Sequence, residues 1–199
     1  MIGPDDVLRF WFGDSGDEGG TIAQGRPRWF NGGEALDREI GARFGAWVEA
    51  ARRGELSYWA GEAHGRLALL ILIDQFGRNL HRGNGAAFAA DALAQALCLE
   101  GLRLGHDRQL SRPQRVFFYL PLEHAENLSL QDCSVALFAA LRDEAPEALR
   151  SHYESFLDYA VRHREVIARF GRFPHRNAVL GRTNTPDEET YLAQPGAGF

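Results

Sequence analysis

Apolar residues recur along this chain at steps of three and four, the period of an amphipathic α-helix. One such stripe carries Leu36, Ile40 and Phe44, and Gly54 follows where that helix is expected to end. No segment alternates apolar and polar residues between turn signals, so no sheet is predicted. The predicted helices cover, approximately, residues 3–12, 34–53, 63–76, 86–104, 113–119, 129–144 and 147–170, with a short last helix from 186.

Short connections between these helices favour neighbours packed as antiparallel hairpins. We therefore predict a single all-α domain over residues 1–199, built from about seven or eight helices. Helix pairs recur about every 35 to 45 residues, the size of the unit in tetratricopeptide-like repeats. Residues 13–27 are rich in glycine and acidic residues and predict a loop, and Pro121 is expected to break the fifth helix.

The charge composition excludes several classes of function. All 22 basic residues are arginine, and with 27 acidic residues the net charge is −5. The absence of lysine excludes Schiff-base chemistry and a phosphate-loop lysine. A negative net charge is unlike that of a general nucleic-acid binder. The longest strongly apolar run, Leu67 to Ile73, is far shorter than the ~20 residues of a membrane span. We therefore expect neither a nucleic-acid nor a membrane partner.

The N-terminus and the cysteines bear on the cellular compartment. Asp5 and Asp6 lie where a secretory signal would be basic, and this favours a cytoplasmic protein. Cys98 and Cys133 lie in apolar helical patterns without CxxC spacing. We interpret them as buried free thiols rather than as metal ligands or a redox pair.

Three segments carry polar groups that a helical scaffold does not require. In the first, Asp74, Arg78 and Arg82 are spaced four apart and would share one face if the buried helix continued past Gly77. If Gly77 instead ends the helix, the arginines cap its last carbonyls, with Asn79 in the following turn. In both cases carboxylate, amide and guanidinium groups lie together at the end of the most buried helix.

The second segment places His124 between Glu123 and Glu126. A histidine near carboxylates is a candidate general acid or base, because a nearby negative charge raises the pKa of its imidazole. Glu and His also ligate zinc or manganese, so a divalent metal at these three residues is a second interpretation. A solvated acidic turn is the third. We expect no cofactor beyond such a metal.

The third segment, residues 169–177, lies in a stretch, residues 162–182, that carries six arginines and one glutamate, a local charge of +5. Within it, Arg172 and Arg176 stand beside His175 and Asn177 on a backbone that Gly and Pro keep irregular. Guanidinium groups held in this way suit a carboxylate or a phosphate. The competing interpretation is internal pairing with the acidic residues of the first two segments.

Together these segments resemble the bacterial and fungal family known as domain of unknown function 924. The resemblance covers nearly the whole chain. It implies an all-α, tetratricopeptide-like arrangement, but no function, since no activity is securely attached to the family. This chain has Gly77 where many members carry Pro, and Ala125 where Ser is common, without change to the charged positions. The matching segments are residues 7–13, 28–30, 67–83, 121–126, 170–177 and 180–182.

We interpret the three segments as one polar pocket of a small-molecule enzyme or binding protein with an anionic ligand. His124 or His175 would act as acid or base, with Glu123 as a carboxylate partner. The alternative is a tetratricopeptide-like scaffold whose groove holds a partner protein. The residues expected to bind and orient the ligand are Asp74, Arg78, Asn79, Arg82, Glu126, Arg172, Arg176 and Asn177.

Overall fold

The computed structural model describes residues 2–198, and these residues form nine α-helices with short 3-10 turns and no β-strand. The all-α prediction is confirmed. The helices are α1 (Pro4–Phe12), α2 (Glu18–Phe30), α3 (Glu34–Arg52), α4 (Ala63–Leu70, continued by Ile71–Phe76 and Gly77–Leu80), α5 (Asp91–Leu104), α6 (Arg112–Glu123), α7 (Leu128–Glu144), α8 (Arg150–Phe170) and α9 (Pro186–Leu192).

Helix α4 is the central helix of the fold, as its nearly all-round apolar sequence predicts. Its apolar side chains are buried, and it packs against α1, α3, α5 and α6. The middle part, Ile71–Phe76, is a π-helical turn, and the helix then continues through Gly77. Turns of this kind are frequent at functional sites. Because the helix continues, Asp74 and Arg78 lie one turn apart and reach the same polar region.

The prediction of a loop over residues 13–27 is wrong from residue 18 onward, because Glu18–Phe30 forms the helix α2. Its glycines suggested a loop, since glycine is a poor helix former. Gly25 nevertheless has a packing role in the helix: a Cβ at this position would lie 2.1 Å from the ring of Trp29. Ile22 is buried in the core as well. Tertiary packing therefore holds a helix that local propensity disfavours.

The helix break expected at Pro121 is also wrong, because α6 continues through this residue to Glu123. Proline removes one backbone N–H from a helix and is unfavourable in its interior. Here Phe117 and Leu122, on either side of the proline, are buried in the core. This packing outweighs the lost hydrogen bond, and it places His124 directly at the C-terminal end of the helix.

The helix predicted over residues 86–104 is a 3-10 turn, Gly85–Phe88, followed by α5. Within residues 2–198, Gly85–Leu104 is also the one stretch whose length and mean hydropathy of 1.2 would fit a membrane span. Core helices of soluble proteins meet the same criterion, so a single stretch is weak evidence. Cys98 of this stretch is a buried free thiol, and Cys133 on α7 is a half-buried one.

Candidate functional site

Asp74, on the π-helical turn of α4, is 2% exposed and accepts three side-chain hydrogen bonds. Its Oδ1 accepts from Nδ1 of His124 at 2.8 Å and from Nη2 of Arg78 at 2.9 Å. Its Oδ2 accepts from Nε2 of Gln75 at 2.6 Å. Burial opposes ionisation, but the histidine and the arginine outweigh it and hold the pKa of Asp74 well below its usual range. Asp74 is therefore an ionised acceptor at neutral pH.

His124 follows α6 and lines a cleft of about 670 Å³, which we call the histidine cleft. Because Asp74 only accepts, Nδ1 of His124 carries the proton. Burial lowers the pKa of His124 more than the charge of Asp74 raises it, so the ring is neutral at pH 7. Its Nε2 makes no hydrogen bond within residues 2–198, and the side chain is 16% exposed. The other polar lining residues are Asp91, Gln95, Glu126, Asn127 and Arg176.

Asp91, the first residue of α5, joins two arginines. Its Oδ1 accepts from Arg78 at 2.9 Å, and its Oδ2 accepts from Nη1 of Arg176 at 3.2 Å. The guanidinium group of Arg176 contacts the rings of Phe88 and Phe173, 4.5 and 4.3 Å from their centroids. Burial and the charge of Arg78 lower the pKa of Arg176 to about 10, so it remains positive at neutral pH. Both arginines are thus held in fixed orientations.

Glu123 does not pair with the neighbouring His124. Its carboxyl group is buried and lies 3.2 Å from Nδ1 of His163 on α8. That nitrogen donates to the backbone oxygen of Tyr159 at 2.8 Å. Burial, with the charge of Asp74, raises the pKa of Glu123 to about 8, whereas burial lowers the pKa of His163 to about 3. The two groups are mostly neutral at pH 7, and their contact is not an ion pair.

Glu126 and Arg172 are engaged in pairs within the C-terminal part of the chain. Glu126 accepts two hydrogen bonds from Arg182, at 2.7 and 2.9 Å, and one from the backbone N–H of Phe173 at 2.8 Å. Arg172 donates two hydrogen bonds to Glu188, at 2.6 and 2.8 Å. Both residues are therefore paired internally, but Arg172 pairs with Glu188 and not with an acidic residue of the first two segments, as the competing interpretation had it.

Asn177 and His175 lie next to the histidine cleft but are not among its lining residues. Asn177 is buried, accepts from Nε of Arg182 at 2.8 Å and donates to Asn184 at 2.8 Å, so it fixes the loop. The ring of His175 packs 5.6 Å from that of Phe173, and burial lowers its pKa to about 4. His175 is therefore neutral at pH 7.

Asn79 and Arg82 bind Asp37 of α3. Asn79 donates to it at 2.7 Å, and Arg82 donates twice, at 2.8 and 3.0 Å. Asp74, Arg78 and Arg82 were expected to share one face of the helix. Because Arg82 lies beyond the end of α4, only Asp74 and Arg78 do so. Asn79 and Arg82, together with Arg78, line a cleft of about 430 Å³ that is different from the histidine cleft.

The residues considered for a divalent metal do not converge, because Glu123, His124 and Glu126 each face a different partner. Within residues 2–198, no group of three or more His, Cys, Asp or Glu side chains is arranged to hold a metal ion.

Sequence reasoning missed two residues that organise the histidine cleft. Asp91 begins a helix, where an acidic residue is ordinarily explained by the helix dipole. Only the fold places it between Arg78 and Arg176, which is 85 residues further along the chain. Phe88 lies in an alanine-rich stretch and stacks on both guanidinium groups. Neither residue stands in a motif that could have identified it.

Residues 7–196 match the family described as "Bacterial protein of unknown function (DUF924)". The solved structure of the protein of unknown function ATU0120 from Agrobacterium tumefaciens is similar to this chain over 96% of each, with 37% sequence identity and a TM-score of 0.81. No curated protein matches the chain. The resemblance inferred from the three polar segments is thereby confirmed. The chain belongs to DUF924, a family of bacterial proteins of unknown function.

Proposed function

We propose that the histidine cleft binds a small molecule with a carboxylate or a phosphate and that His124 acts on it as a general base. The observation that carries this proposal is the 2.8 Å hydrogen bond between Nδ1 of His124 and the buried Asp74. It fixes the tautomer and orientation of the ring and leaves Nε2 as the proton acceptor for a molecule in the cleft.

The chemistry follows from this arrangement. Nε2 of His124 takes a proton from a water molecule or from the substrate, and the imidazolium that forms is stabilised by the ionised Asp74. No serine, threonine or cysteine is among the residues lining the cleft in the described part of the chain. This favours attack by an activated water, or proton abstraction next to a carbonyl, over a covalent enzyme intermediate.

Arg176, which lines the histidine cleft, supplies the donors for an anion. Its Nη2 makes no hydrogen bond to any described residue, and its guanidinium group lies against Phe88. A carboxylate or a phosphate suits such fixed planar donors. The anion would then lie beside the base, on the wall that Arg176 shares with His124.

A ligand screen by thermal unfolding tests the proposal, since a ligand that binds only the folded state raises the unfolding temperature. We expect inorganic phosphate or a member of a panel of small carboxylates to stabilise the wild type and the matched control Arg172→Met, but not Arg176→Met. Arg172 pairs with Glu188 away from the cleft. An undiminished response of Arg176→Met, or no response of the wild type, would contradict the proposal. No response is what the alternative, a scaffold for a partner protein, predicts.

A further inference from the structure

A separate pocket lies between α2, α6 and α8, with a volume of about 220 Å³. An apolar cavity of about 150 Å³ binds benzene, so this pocket has room for one six-membered ring with a short substituent. Most of its wall is formed by the apolar or aromatic side chains of Phe30, Val116, Phe117, Leu120, Phe156 and Tyr159.

Glu123 supplies the one carboxyl group that lines this pocket in the described part of the chain. It is 4% exposed, and the nearest polar side chain to its carboxyl group is that of His163. The nearby Nδ1 of His163, 3.2 Å away, directs its proton to the backbone oxygen of Tyr159. Because the carboxyl group of Glu123 lines the wall of the pocket, a ligand there can form a hydrogen bond with it.

The protonation state of Glu123 determines what it can offer. Burial raises its pKa to about 8, so the carboxyl group is mostly protonated at neutral pH. His163 does not take this proton, because burial lowers its own pKa to about 3. A protonated carboxyl group carries one O–H donor, and in an apolar pocket such a group donates to an acceptor on the ligand.

The mouth of the pocket carries exposed aromatic surface. Phe30 is 55% exposed and Tyr159 is 47% exposed, although both are large and mostly apolar. The ring of Phe30 lies 6.0 Å from that of Phe156 and has the guanidinium group of Arg26 over it at 5.7 Å. Exposed aromatic residues that line one cavity are typical of a binding site.

We propose that this pocket binds a small uncharged ring compound with a carbonyl group, whose oxygen accepts a hydrogen bond from Glu123 while the ring packs against Phe117 and Phe156. The proposal does not depend on the histidine cleft. Glu123 and His124 are consecutive, but they line different cavities.

Acetophenone and ethylbenzene test the proposal, because they differ in the carbonyl group and share the ring. We expect saturable binding of acetophenone to the wild type, followed by changes in NMR chemical shift, and about tenfold weaker binding to Glu123→Leu. Glu123→Gln, which keeps a donor, should bind within a few-fold of the wild type. Ethylbenzene should bind Glu123→Leu at least as well as the wild type.

Glu154→Gln, an exposed glutamate on α8 that pairs with Arg142, is the matched control and should behave as the wild type. Equal affinity of acetophenone for the wild type and Glu123→Leu would overturn the role of Glu123. Absence of saturable binding of acetophenone to both the wild type and Glu123→Gln would overturn the pocket itself.

Discussion

His124 and Asp74, fifty residues apart in the chain, are joined by a 2.8 Å hydrogen bond at the histidine cleft. The bond connects the C-terminal end of α6 to the π-helical turn of α4. Arg78 donates to the same carboxylate oxygen, so one buried carboxylate orients both a base and a cation. This arrangement exists because α4 continues through Gly77 and α6 continues through Pro121.

Replacement of Asp74 by Asn should destabilise the fold strongly. The change removes one of the two carboxylates that pair with Arg78 and weakens the hydrogen bonds that the buried carboxylate accepts, and a hydrogen bond to a charged group contributes about 1.5 to 3 kcal/mol. The matched control is Asp132→Asn, since Asp132 is half-exposed and pairs with Arg164 at the surface. We expect the control to change stability by less than about 1 kcal/mol. Urea unfolding at pH 7 measures both, and equal effects would contradict the buried network.

Stability should fall as the pH rises from about 6.5 to about 8. The pKa of Glu123 is raised from its ordinary value of 4.5 to about 8 in the folded state. Between these two pH values the folded protein therefore keeps a proton that the unfolded chain has lost, and the free energy of unfolding falls as the pH rises. His163 has the opposite sign: its pKa is lowered to about 3, so its contribution rises with pH up to its unfolded value of 6.5. Between pH 4.5 and 6.5 the effects of Glu123 and His163 on the free energy of unfolding oppose each other. Above pH 6.5 only the effect of Glu123 remains.

Glu123→Gln isolates this effect. The difference in unfolding free energy between the wild type and Glu123→Gln should change by up to about 1.4 kcal/mol per pH unit near pH 6.5, and by less as the pH approaches 8. Urea unfolding at several pH values provides the measurement. A difference that does not vary between pH 6.5 and 8 would show that the carboxyl group is already ionised.

Two glycines that both lie in helices should respond oppositely to alanine. Gly25→Ala places a methyl group against the ring of Trp29, so we expect a loss of about 1 to 3 kcal/mol. Gly45, in α3, has nothing within 4 Å of an added Cβ, and Gly45→Ala should stabilise the helix by about 0.5 to 1 kcal/mol. Thermal unfolding distinguishes the two signs. Equal stabilisation by both would mean that the close approach of Gly25 and Trp29 is absent.

The parts of the site that sequence reasoning predicted are those set by local geometry. Asp74 and Arg78 are four residues apart on one helix, so their pairing follows from the helical period once the helix continues. Arg176 was identified from its irregular, arginine-rich surroundings. Its partner Asp91 was not, because that contact depends on how two distant parts of the chain pack.

The fold shows the same division. The long apolar stripes correctly predicted the other α-helices. The prediction missed α2 and the end of α6, because glycine and proline have low intrinsic helix propensity. Gly25 and Pro121 are tolerated because Trp29, Phe117 and Leu122 are packed around them. The pairing of His124 with Asp74 rather than with Glu123 likewise depends on tertiary packing.

The protonation of the His124 ring tests the central claim most directly. Nitrogen-15 NMR of the imidazole nitrogens, with His124→Asn to assign the signals, reports which nitrogen carries the proton. At pH 7 we predict a neutral ring with a protonated Nδ1 and an unprotonated Nε2, and loss of this preference in Asp74→Leu, which has no acceptor for Nδ1–H. A ring protonated on Nε2 alone, or charged at pH 7, would contradict the assignment of His124 as a general base.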